Sequence, residues 1–239
     1  MAIRGIFFDA AGTLIQPVRR VGESYALLAK KYGVEISAAE IAERFRICFD
    51  EAPPLAFPGA SAPRIEVLER EWWKDLVRHI FEPRDRFHGF DDYFADLFDY
   101  FAQPGAWILY PEVAETLPIL KDRGLTLDVI SNFDSRLIGI LEGLGASHWF
   151  DHIFVSSRVG HAKPARQIFA AALEHRGLEA GDALHVGDSR ENDFHGARKA
   201  GLKSVLVERS GDDNSNLAPR VTTLRAIPRL LDDWAHREK

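Results

Sequence analysis

Four places in this 239-residue chain put a chemically able side chain at or just beyond the end of a short apolar run. FFDAAGTL, residues 7–14, ends its run on the carboxylate of Asp9. A second run delivers Ser131-Asn132, and the loop after a third carries Lys163-Pro164. A fourth ends in Gly187-Asp188-Ser189, with Asn192-Asp193 just behind. A carboxylate, a hydroxyl and an amine can attack, bind and neutralise, and the acidic pair within GDSREND argues for a cation. Taken singly, each has a structural reading. Asp9 and Ser131-Asn132 suit helix caps, Lys163 suits a solvated lysine before a proline, and Asp188 with Asp193 suits the N-terminus of the helix containing Gly196. Their joint order is harder to explain by packing.

The elements that must position these groups are legible as apolar, branched runs at residues 3–8, 125–130, 152–155, 183–186 and 204–207. Most are followed by a helical pattern. PEVAETLPILKDRG, residues 111–124, has Pro at its start, apolar spacing of three and four, and Gly at its end. Strands alternating with helices predict an α/β fold with a parallel sheet covered on both faces, and ligands in such sheets bind beyond the carboxyl ends of the strands. Residues 17–104 differ, with no convincing strand. They read as helices over 22–32, from a Ser37/Glu40 capping box onward, over 64–81 and over 91–101, with a Pro-rich loop at 52–63. The expected organisation is therefore a core of residues 1–16 and 105–239, with a helical insertion at 17–104 hinged near Pro17 and Pro104. The aromatic spacing Phe90-Phe94-Phe98 reads as the core of that insertion, and a docking surface is the other reading.

A formal net charge of −6 argues against a nucleic-acid binder, which would show a basic face. The single cysteine, Cys48, excludes an internal disulfide and a thiolate metal cluster, and its helical setting suggests a packed thiol. The N-terminal apolar run is too short for a signal peptide, and no stretch approaches the ~20 apolar residues of a membrane span. The expectation is a cytoplasmic protein with neither a membrane nor a nucleic-acid partner; its oligomeric state is not readable.

Together the four pieces resemble the motifs of the haloacid dehalogenase superfamily, whose members are mostly phosphatases. The Asp-x-Asp-x-Thr/Val loop stands here as Asp9-Ala10-Ala11-Gly12-Thr13, the strand-end Ser/Thr as Ser131-Asn132, and the lysine as Lys163-Pro164. The Gly-Asp-x-x-x-x-Asp loop stands as Gly187 to Asp193. Order and spacing match over nearly the whole chain, and the helical insertion sits where the family's first cap domain belongs. SNFDSRL at 131–137, HVGDS at 185–189 and REWWKDLV at 70–77 resemble one branch, that of a rhythmically expressed gene product first noted in flies. Members of that branch often lack the second aspartate of the first motif.

The resemblance implies a Rossmann-like core with a helical cap and hydrolysis of a small phosphorylated substrate. Asp9 would attack phosphorus to form an aspartyl-phosphate that water then opens. It also implies Mg²⁺ on Asp9, Asp188 and the backbone carbonyl of Ala11, with Asp193 orienting Lys163 or a metal-bound water. Lys163 would pair with Asp9 and a phosphoryl oxygen. Ser131, Asn132 and the backbone at Gly12 and Thr13 would hold the other oxygens. Alanine at position 11 departs from the pattern, because the family's second aspartate protonates the leaving group and activates water. Such general acid–base catalysis is worth about 10²–10⁴-fold, on the order of 3–5 kcal/mol.

Three enzymatic readings follow. The first is a phosphatase for substrates with good leaving groups, such as acyl or phenolic phosphates, or one in which His161 or His88 replaces the acid. A second resembles phosphonoacetaldehyde hydrolases, which carry alanine at this place and use a cap lysine as a Schiff base; the cap lysines here are Lys30, Lys31 and Lys74. The third is a true dehalogenase, against which the Asp188/Asp193 pair argues. A non-enzymatic reading is a feeble catalyst that keeps phosphoryl binding and acts through partners.

Overall fold

A computed structural model of the chain describes residues 3–82, 87–209 and 219–237. The first apolar run forms β1 (Gly5–Phe8), and a tight turn carries the chain into the short β2 (Ile15–Pro17). Four helices follow: α1 (Val21–Lys31), α2 (Ala38–Glu51), α3 (Ala62–Phe81) and α4 (Phe90–Ala102). The chain returns through β3 (Trp107–Leu109), then α5 (Val113–Asp122), β4 (Thr126–Ser131), α6 (Arg136–Gly143) and β5 (His152–Val155). It continues as α7 (Ser156–Val159), α8 (Arg166–Arg176) and β6 (Ala183–Gly187), then one wide π-type turn at Arg190–His195 and α9 (Gly196–Lys199). β7 (Lys203–Val207), β8 (Arg220–Val221) and α10 (Ile227–Arg237) complete it.

Six strands form one parallel sheet in the order β5-β4-β1-β6-β7-β8. β1 is central: Phe8 lies opposite Val129 of β4 and Val186 of β6. Its four residues are all buried, as a strand covered by helices on both faces requires. Order reverses across β1, so its carboxyl end opens on the crevice where such sheets bind ligands. The fold is α/β, a Rossmann-like parallel sheet interrupted by a helical cap.

Each expected strand is present within a residue or two. β2 and β3 were not anticipated, and they pair antiparallel, Ile15 with Leu109 and Pro17 with Trp107. This ribbon ties together the two crossings into the helical segment. Three residues per strand are too few to show an alternating pattern. The two-residue β8 escaped notice for the same reason.

The helices α1–α4 own a separate apolar cluster, built on Tyr25, Leu28, Ile41, Leu76, Val77, Ile80, Tyr93, Phe94 and Leu97. Within the expected aromatic stripe of α4, Phe94 is buried while Phe90 and Phe98 pack at the cluster's margin. The Ser37 hydroxyl accepts from the Glu40 N–H at 3.1 Å, as the capping pattern predicts. Cys48 packs against this cluster as a free thiol, and burial raises its pKa, which makes it a poor nucleophile. Among the described residues, no helix is long and apolar enough to cross a membrane.

Candidate active site

The carboxyl ends of β1, β4 and β6 bring the strand-end groups together. Asp9 follows β1 directly, its N–H donating to Val186 O at 2.9 Å, so the loop that carries it starts from a strand anchored on both sides. Its Oδ1 accepts from Ser131 Oγ at 3.0 Å and from Lys163 Nζ at 2.7 Å. Lys163 also donates to Ile130 O at 2.7 Å and to Asp193 Oδ1 at 2.6 Å, so its three ammonium protons are all used. Asp193 Oδ1 accepts further from His185 Nε2 at 2.8 Å, and its Oδ2 from Ser189 N–H at 2.9 Å.

This network is buried, which sets its protonation. Burial works against the Lys163 charge, but Asp193 and Asp9 outweigh it and the lysine pKa is raised. Burial would raise Asp193, yet Lys163 and His185 hold it well below the usual carboxylate range. His185 is kept neutral by burial and donates from Nε2, since an ionised carboxylate can only accept. For Asp9, burial raises the pKa more than Lys163 lowers it. Asp188, whose side chain opens to solvent, is pushed up to about 7 by partial desolvation and by the charges of Asp9 and Asp193.

Desolvation leads both of those shifts, and the crowding of three carboxylates around one lysine adds to each. Asp9, Asp188 and Asp193 present oxygens all within 4.8 Å of one another. An oxygen-only donor set carrying surplus negative charge fits a hard divalent cation. Asp193, with both oxygens engaged inside the protein, supports Lys163, so Asp9 and Asp188 are the carboxylates best placed to ligate. The turn leaves one backbone acceptor for the same purpose. Ala10 O accepts from the N–H groups of Thr13, Leu14 and Ile15, while Gly12 O and Thr13 O accept from Arg209. Among the described residues the Ala11 carbonyl accepts nothing. Gly12 adopts φ +91°, and a Cβ there would collide with the Asp188 carboxylate, so only glycine lets the two loops approach.

Three residues expected on the phosphoryl group already make hydrogen bonds within the protein. Gly12 N–H donates to Ile15 O at 2.8 Å and Thr13 N–H to Ala10 O at 3.2 Å, because the tight turn consumes them. Thr13 is fully buried beneath the loop. The Asn132 amide clamps the Lys163 backbone from both ends, accepting from its N–H at 2.7 Å and donating to its carbonyl at 2.8 Å. The N–H groups of Ala10 and Ala11 are the ones without a partner among the described residues. His161 and His88, the suggested replacement acids, line neither of the two cavities at the site.

Arg209 went unnoticed in the sequence. Its guanidinium donates to Gly12 O at 3.0 Å, Thr13 O at 2.6 Å and Glu112 Oε1 at 2.5 Å, and lies 3.4 Å over the Tyr110 ring. It braces the Asp9 loop from behind. The signal was available, since Arg209 stands just past β7 and would emerge from the same reading of strand ends. His185 was marked too, as a polar residue in a fully buried strand.

Two cavities meet at this site. One, of 460 Å³, is lined by Asp9, Ser131, Lys163 and Asp188 and roofed by Leu55 and Trp72 of the helical segment. The other, of 350 Å³, is largely aromatic. Above them the cap is fastened to the loop after β4. Trp73 Nε1 donates to Asp134 Oδ2 at 2.6 Å, and Glu69 Oε1 accepts from Ser135 N–H at 2.9 Å and Ser135 Oγ at 2.7 Å.

Comparison with known proteins agrees with this geometry. The chain is 35% identical over 236 residues to haloacid dehalogenase-like hydrolase domain-containing protein 3 of Mus musculus, covering 96% of this chain and 92% of that one. It is 28% identical to the rhythmically expressed gene 2 protein of Drosophila melanogaster, over 85% of this chain and 82% of that one. A crystal structure of a HAD phosphatase from Thermococcus onnurineus superposes with a TM-score of 0.63 at 26% identity, covering 96% and 98% of the two chains. The haloacid dehalogenase-like hydrolase family matches residues 3–201, a span that holds all four motif loops, and the chain belongs to that family of hydrolases.

Proposed function

We propose that the protein is a phosphatase for a small phosphorylated metabolite, working through an aspartyl-phosphate on Asp9. The observation that carries this is the hold on Asp9. Ser131 and Lys163 fix Oδ1 at the carboxyl end of the central strand, and Oδ2 accepts no hydrogen bond among the described residues. A carboxylate so oriented toward a polar cavity is arranged to attack.

The residues divide the work. Lys163, held protonated by Asp193, keeps a positive charge beside the attacked phosphoryl group. The Ala10 and Ala11 N–H groups offer donors for its oxygens. Asp9, Asp188 and the Ala11 carbonyl would hold Mg²⁺, which when bound offsets the charge of nucleophile and phosphoryl group. His185 and Ser189 keep Asp193 in place behind Lys163. Position 11 supplies no proton.

The Schiff-base reading gains no support from the cap lysines. Lys30 and Lys31 lie exposed, Lys74 pairs with Asp91 at 2.9 Å, and among the described residues Lys163 is the only lysine lining either cavity. The test is phosphate release with and without Mg²⁺ over acyl, aryl, sugar and nucleotide monophosphates, with Asp9→Asn as control. Turnover that needs both Mg²⁺ and Asp9 supports a phosphatase. Binding of phosphate analogues without Asp9-dependent release would instead leave an interaction protein.

A further inference from the structure

We infer that the substrates are aryl phosphates, whose ring occupies the aromatic cavity beside Ala11 while the phosphoryl group lies at Asp9. This rests on the phosphatase reading and names its substrate class. The 350 Å³ and 460 Å³ cavities share three wall residues, Ala11, Phe49 and Asn132. Ala11 therefore stands where the bond from phosphorus to its leaving group crosses from one to the other.

Among the described residues, the wall beyond that junction holds no carboxyl, imidazole, thiol or ammonium group. Arg136, the one cation on it among the described residues, gives three of its five N–H groups to the protein: Nε and Nη2 donate to Asp134 at 2.9 and 2.7 Å, and Nη1 donates to Phe98 O at 3.0 Å, and a guanidinium does not release a proton. The phenol of Tyr25 is the remaining acidic proton, and burial raises its pKa further out of reach. A leaving group here must depart as an anion. An alkoxide is far too basic for that, whereas a phenol ionises near pKa ~10 and stabilises the charge itself. Rings such as Phe49, Trp73, Phe98 and Trp107 offer faces and edges for an aromatic guest. At 350 Å³ the cavity is near the lower end of the about 300–1,000 Å³ typical of ligand pockets, which suits a small ring system over a long chain.

The chemistry balances without an acid at position 11. An Asp9 oxygen forms a bond to phosphorus as the phosphorus–aryl oxygen bond breaks, its electron pair leaving with the aryloxide. Water then attacks the phosphorus of the aspartyl-phosphate, the Asp9 carboxylate departs unprotonated, and the proton of water goes to the released phosphate. The aryloxide takes its proton from solvent.

The test compares acetyl phosphate, which needs neither a proton nor a ring, with 2-naphthyl phosphate, using the full chain with Mg²⁺. Val21→Phe narrows the aromatic cavity from a half-buried position in the first turn of α1, outside the catalytic network. The expectation is kcat/KM for naphthyl phosphate at least about tenfold above acetyl phosphate, although acetate is the better leaving group. Val21→Phe should lower the naphthyl value roughly fivefold or more and leave the acetyl value unchanged. Phenylphosphonate, which has no scissile ester, should quench tryptophan fluorescence at about tenfold lower concentration than methylphosphonate. Asp9-dependent release from acetyl phosphate with no naphthyl preference, or a Val21→Phe effect equal on both, overturns the aryl class and leaves the phosphatase standing. No Asp9-dependent release from either substrate overturns both.

Discussion

Restoring a carboxyl group at position 11 would place an acid where the polar and aromatic cavities join. Ala11→Asp should raise kcat on alkyl phosphates by at least about tenfold, within the ~10²–10⁴-fold that a general acid supplies. It should change aryl and acyl phosphates little, since their leaving groups need no proton. A plot of log kcat against leaving-group pKa reads this directly: steep for the native chain, flatter for Ala11→Asp. Equal slopes would mean that another group already acts as the acid. The residues that make this argument possible, Asp9, Ser131, Lys163, Asp188 and Asp193, were all legible as strand-end groups. The internal hydrogen bonds of Gly12, Thr13 and Asn132 were not legible, because a residue's type does not say where its N–H or amide points. The turn's own hydrogen bonds decided that, and they depend on the fold.

At the scale of elements, the loop that carries Asp9 depends on a residue that follows β7, two strands away in the sheet. Arg209 bonds to two consecutive carbonyls of the loop, and a lysine cannot reproduce that planar geometry. Arg209→Lys should lower kcat by roughly tenfold or more with a smaller change in KM, since it loosens the loop without touching substrate. Steady-state kinetics checks the split, and a change in KM alone would contradict it. On β4, away from the site, Asp128 is fully buried beside Arg176 at 3.1 Å, and burial pushes its pKa up to about 6. Its folded pKa lies above its unfolded one, so the folded state binds the extra proton between about pH 4 and pH 6. The native chain therefore loses stability as pH rises through that window, by up to about 3 kcal/mol. Asp128→Asn removes this loss, so urea denaturation should show the variant gaining on the native chain from pH 4 to 7. A difference independent of pH would refute it. The helices and long strands were legible because periodicity and caps reveal them over many residues. The ribbon of Ile15–Pro17 and Trp107–Leu109 was not, because its pairing partner lies across the whole cap in sequence.

For the whole molecule, both cavities exist only while the cap rests on the core. Glu69 is buried and satisfies both the N–H and the hydroxyl of Ser135, while Trp73 reaches Asp134. Glu69→Ala leaves those donors unpaired, at a cost of about 1–3 kcal/mol to the closed arrangement. It should reduce kcat/KM alike for every substrate class and increase acrylamide quenching of tryptophan fluorescence. A loss confined to one class would place Glu69 in specificity instead. The sequence marked the insertion and its aromatic core, but not which side chains turn toward the site, since that depends on how the cap docks. The central claim is that Asp9 carries the phosphoryl group, and the most direct measurement is rapid quenching of the Mg²⁺-loaded protein with radiolabelled acetyl phosphate, followed by peptide mapping. The account predicts acid-stable, hydroxylamine-sensitive label on the peptide containing Asp9, lost in Asp9→Asn. Turnover with no label on that peptide would contradict it.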